Sequence, residues 1–205
     1  MPLRDSKEGR LGLSGLLNCS RGNHNPALSK STHLFSDQEL SAANDVFERI
    51  VTEAGEDTGT AIVIAASVAG AQMMRNTGID FSGFEPGQYV LIDILNDQGM
   101  ELLEFVDELL VRFANDPVDD WILPALVGTG PEETLLELTG KYEGSLSLIC
   151  DRNGVDSSRR PQVMAAVIAL IIHRASPVMD AATGKMIATQ ALVYGVKTVP
   201  PSFQL

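Results

Sequence analysis

The run Val163-Met164-Ala165-Ala166-Val167-Ile168-Ala169-Leu170-Ile171-Ile172 decides how the rest of the chain reads. It holds no charge, glycine or proline, and at ten residues it is half the ~20 apolar residues a membrane-spanning helix needs. A helix that is apolar on every face has to be surrounded by other elements. The run therefore predicts the central helix of a protein core. Ser157-Ser158 and Pro161 supply its start, and it should reach about Ala175.

Working back along the chain, Thr129-Gly130-Pro131-Glu132 predicts the start of the preceding helix, with a capping hydroxyl, a first-turn proline and an acid at the positive end of the dipole. Leu135, Leu138, Tyr142, Leu146 and Ile149 carry its apolar stripe as far as the stop at Asp151-Arg152-Asn153-Gly154. Before it, Asn96-Asp97 is expected to cap a helix over Gln98 to Ala114, with Leu102, Val106, Leu109, Leu110 and Phe113 on its inner stripe. Gln88 to Leu95 fits a short helix or a short strand. Asn76 to Pro86 reads as a loop anchored on the core by Ile79, Phe81 and Phe84.

Ala61 to Met74 is a second apolar run, whose length favours a helix over a strand and which still falls short of a bilayer. Ser36-Asp37-Gln38-Glu39 has the form of a capping box, and Leu40, Ala43, Val46, Phe47, Ile50 and Val51 follow at steps of three and four, ending near Gly55. Beyond the central run, Ala182 to Val196 reads as a final helix. The alternative there is a small hairpin, turned at Asp180 to Lys185, between Val178 and Met186 to Val193. The fold expected is all-α: a single domain over residues 35–205, of about six helices around 163–172. Residues 1–34, rich in Ser, Asn, Gly, Arg and Lys, read as a polar, flexible leader.

Charge narrows the function. The 205 residues hold 27 acids and 15 bases, a net charge of −12. Residues 93–143 alone carry 13 acids against Arg112 and Lys141, whereas residues 144–205 carry three acids and six bases. Nucleic-acid binding requires a basic face that displaces counterions from phosphates, and the middle third would repel DNA or RNA. Two cysteines, Cys19 and Cys150, make no disulfide framework and predict reduced thiols in a cytoplasmic compartment.

Chemistry-bearing motifs are sparse. Cys19, His24 and His33 lack the paired spacing and the fourth ligand of a zinc site, so no metal is expected. Gly184-Lys185 is followed by Met186 and preceded, five positions earlier, by Met179, which breaks a phosphate-binding loop twice. Asp151-Arg152-Asn153-Gly154-Val155-Asp156 has its glycine at the fourth position, where a calcium loop needs it at the sixth. No cofactor is implied.

What remains is an acidic surface. Glu101, Glu104 and Glu108 share one face of a helix, and acids on an amphipathic helix form a solvated face. The expected function is a non-catalytic protein-interaction module (an adaptor, chaperone, neutralising protein or assembly subunit) that takes a basic partner protein. Its expected contact residues are Glu101, Glu104, Asp107, Glu108, Asp119, Asp120 and Trp121. Such a segment steers cationic partners over a Debye length of about 8–10 Å. Two alternatives compete: a small-molecule enzyme with a pocket around Asp80, Trp121, Tyr142, Cys150 and His173, and an acidic mimic of nucleic acid.

Overall fold

A computed structural model describes residues 35–55, 57–114 and 134–201. Among them the fold is all-α. Helices α1 (Asp37–Ala54), α2 (Thr58–Asn76), α3 (Asp93–Phe113), α4 (Leu135–Arg152), α5 (Arg160–Arg174) and α6 (Ala181–Lys197) are joined by turns, with one 3-10 turn at Ser157–Arg159 leading into α5.

The central run behaves as its composition demands: every residue of α5 from Val163 to His173 is buried. It shares the interior with α2, buried without a break from Ala61 to Met74. Helix α2 packs against α1, α4, α5 and α6, and α5 packs against α1, α2 and α3. Small residues make the α2–α6 crossing close. A Cβ built on Gly70 would lie 2.7 Å from the Cα of Gly195, and one on Gly195 would lie 2.6 Å from the carbonyl oxygen of Ser67. No helix among the described residues is long and apolar enough to cross a membrane.

The helix starts follow local chemistry. Ser36 Oγ accepts from the Glu39 amide at 3.2 Å while Glu39 Oε2 accepts from the Ser36 amide at 2.7 Å, which closes the expected capping box. Helix α4 begins later than expected. Its capping box is Thr134 with Glu137, and Thr129 lies outside the described residues. Helix α3 begins earlier, at Asp93, so Asn96 and Asp97 lie inside it and do not cap it. The reason is Leu95, 1 % exposed, which extends the inner stripe about two turns back from Leu102. Burying a leucine contributes about 1.5–3 kcal/mol, against about 1 kcal/mol for the side-chain cap that Ile92 lacks.

The hairpin alternative is overturned. Asp180 accepts from the Thr183 amide at 2.9 Å and caps α6, which sets Gly184, Ala188, Ala191 and Gly195 on one small-residue face inside the bundle. After α6 the chain makes a single antiparallel bridge, Thr198 with Tyr89, flanked by the Val199 amide donating to the Gln88 carbonyl at 2.9 Å. The loop after α2 is anchored less fully than expected. Phe81 packs against the core, whereas Ile79 and Phe84 stay exposed.

Candidate interaction cleft

On one side of the bundle the end of α2, the first half of α3 and the turn into α5 line a cleft of about 750 Å³. Helix α2 contributes Met73 and Asn76 from its last turn, followed by Ile79. Helix α3 contributes Gln98, Glu101, Leu102 and Phe105, which helical spacing at steps of three and four places on one side. The turn into α5 contributes Arg159 and Pro161. Met73, Ile79, Ile92, Leu102, Phe105 and Pro161 make an apolar lining, and Asn76, Gln98 and Glu101 bring polar groups to it.

Hydrogen bonds hold this end of the bundle together. Asn76 Nδ2 donates to the Ser157 carbonyl at 3.0 Å, tying the end of α2 to the start of α5. Arg159 Nε donates to Glu39 Oε1 at 2.6 Å and ties α5 to the start of α1. Burial opposes the charge on Glu39, but the bonds from Arg159 and Ser36 outweigh it and hold the carboxyl below its ordinary range. Arg159 thus spends its charge on Glu39, and the acid facing the cleft is Glu101.

The expected contact residues divide into three groups. Glu101, Glu104 and Glu108 form a stripe along the exposed side of α3, which begins at the cleft and runs toward the C-terminal end of the helix. Glu108 accepts from Arg112 Nη2 at 2.7 Å, one turn on. Asp107 leaves the stripe and meets Lys185 Nζ of α6 at 2.6 Å. Asp119, Asp120 and Trp121 lie outside the described residues, as do Cys19, His24 and His33. Among the described residues no three His, Cys, Asp or Glu side chains gather as a metal ion requires. Met73, Asn76 and Arg159, the cleft residues from neighbouring elements, carry no motif of their own in the sequence.

The four described residues of the alternative small-molecule pocket, Asp80, Tyr142, Cys150 and His173, line neither this cleft nor the one beside α6. Cys150, in the last turn of α4, is fully buried, and burial pushes its thiol up to about 11, so it is a poor nucleophile. The charge of Arg160, at the start of α5, reaches it. His173 sits 13 residues further along the same helix, about 20 Å away at 1.5 Å per residue, with its ring 5.6 Å from that of Phe113. Asp80 lies on the surface, where the amide and hydroxyl of Ser82 hold its carboxyl below the ordinary range. Tyr142 is buried on α4, and Trp121 lies outside the described residues.

Compared with known proteins, the chain matches no family model, no curated protein and no solved structure.

Proposed function

We propose that this protein is an acidic interaction module whose partner is a basic protein segment with apolar anchors. The observation that carries the reading is the continuity of the Glu101–Glu104–Glu108 stripe with an apolar-lined cleft. A partner side chain placed in the cleft removes apolar surface from water and supplies affinity. Lysines or arginines beside it meet the stripe, which raises the association rate and fixes orientation. Acids that served solubility alone would have no need of an apolar cleft at one end.

The test is capture at low and at physiological salt, comparing the full chain with a variant carrying Glu101→Lys, Glu104→Lys and Glu108→Lys. A basic protein retained by the wild type, lost from the variant and weakened by salt supports the reading. Equal retention by both chains, or the recovery of only acidic or neutral proteins, overturns it.

A further inference from the structure

The first described residue, Phe35, is buried with its ring 5.6 Å from that of Phe105, and Phe105 lines the cleft. The 34 residues that precede it therefore join the bundle at the cleft itself. Their composition is the complement of what they join. Residues 1–34 hold Arg4, Lys7, Arg10, Arg21 and Lys30 against only Asp5 and Glu8, in a chain whose net charge is −12. Directly after the first three bases comes Leu11-Gly12-Leu13-Ser14-Gly15-Leu16-Leu17, the most apolar stretch of those 34 residues.

We infer that residues 1–34 carry a built-in ligand for this cleft: Leu11 to Leu17 seats on the apolar lining, and Arg4, Lys7 and Arg10 face the Glu101–Glu104–Glu108 stripe. The proposal goes beyond the interaction reading and does not depend on it, because a contact within the chain is independent of any outside partner.

Reach is no obstacle. Eighteen steps separate Leu17 from Phe35, which as a coil cover about 25 Å and fully stretched more than ~55 Å. Tethering also replaces a bimolecular event with an intramolecular one, at an effective concentration on the order of millimolar. A contact too weak to hold two separate molecules together then fills the cleft most of the time.

Cys19, two residues after Leu17, gives a probe within the intact chain. Cys150 is fully buried with its thiol pushed up to about 11, so a nitroxide reagent applied to the native protein labels Cys19 and spares Cys150. The measurement is broadening of backbone amide signals by the Cys19 nitroxide in the full chain. A second chain, carrying Leu11→Ser, Leu13→Ser, Leu16→Ser and Leu17→Ser and labelled in the same way, is the control for the tether alone.

The inference expects strong broadening at Asn76, Gln98, Glu101 and Gln162, and a severalfold loss of it in the four-serine chain with amide positions elsewhere unchanged. Equal broadening in both chains means that attachment at Phe35 alone brings the label near, and overturns the proposal. Broadening that spares the cleft, or falls elsewhere on the bundle, overturns it too.

Discussion

Arg75 joins three distant parts of the chain. From the last turn of α2 its guanidinium donates to both carboxylate oxygens of Glu143 on α4, at 2.5 and 3.0 Å, and to the carbonyl of Pro201 after α6, at 2.6 Å. Glu143 is 1 % exposed, and burial raises its pKa despite the bonds from Arg75 that work the other way. Removing one partner of such a pair leaves a buried charge uncompensated, so Arg75→Ala should cost about 3 kcal/mol near neutral pH. Its dependence on pH has a definite sign. Without Arg75 the folded-state pKa of Glu143 moves further above the unfolded value of 4.5. The folded form then holds the proton more tightly than the unfolded chain, and stability falls as pH rises through the raised pKa. Thermal unfolding should show the variant's deficit growing as pH rises above the ordinary carboxylate range, and adding Glu143→Gln should remove most of that pH dependence. Cys150 permits a second check. In a chain with Cys19→Ser, the remaining thiol should resist a disulfide reagent until the protein unfolds, because it is fully buried with its pKa raised to about 11.

At the scale of elements, the crossing of α2 and α6 depends on two glycines with no room for a methyl group. The atoms facing Gly70 within 3 Å are backbone atoms of Gly195 and Leu192, so accommodation requires the helices to part. Gly70→Ala should therefore destabilise by about 3 kcal/mol, at the upper end of the usual overpacking cost. Gly99, inside α3, is the internal control. Nothing lies within 4 Å of a Cβ built there, so Gly99→Ala should stabilise by about 0.5–1 kcal/mol through helix propensity. Chemical denaturation midpoints of the two variants should move in opposite directions. What was legible at this scale was period and capping. The Ser36 box, the all-round burial of α5 and the stripes of α3 and α4 follow from residue spacing. Two helix starts were misplaced because propensity cues compete. Thr134-Leu135-Leu136-Glu137 has the same capping form as Thr129-Gly130-Pro131-Glu132, and α4 takes the later one. The cleft itself could not be read in advance. Glu101 and its neighbours at steps of three and four were visible, but Met73, Asn76 and Arg159 join them only through the tertiary arrangement of α2, α3 and α5.

The charge of the whole molecule acts on stability as well as on partners. A net charge of −12, concentrated in residues 93–143, makes the folded state repel itself more than the extended chain does. Two ion pairs on α3, Asp107 with Lys185 and Glu108 with Arg112, offset part of that repulsion, and both are surface pairs of small individual value. Salt separates the contributions. Raising ionic strength from about 0.01 M to about 0.15 M shortens the Debye length from roughly 30 Å to roughly 8 Å. That screens the diffuse repulsion and leaves apolar burial in place. The wild-type melting temperature should therefore rise over this interval. Replacing Glu101, Glu104 and Glu108 with lysine halves the net charge, from −12 to −6, on the exposed side of one helix and removes no buried contact. The variant should melt no lower than the wild type at low salt, and its gain from added salt should be smaller. That outcome means that these glutamates are unnecessary for folding and that their repulsion is a standing cost of the surface. A marked fall in the variant's melting temperature at both salt concentrations would instead assign the stripe a structural role within the bundle, and the solvent-facing reading of α3 would fail with it.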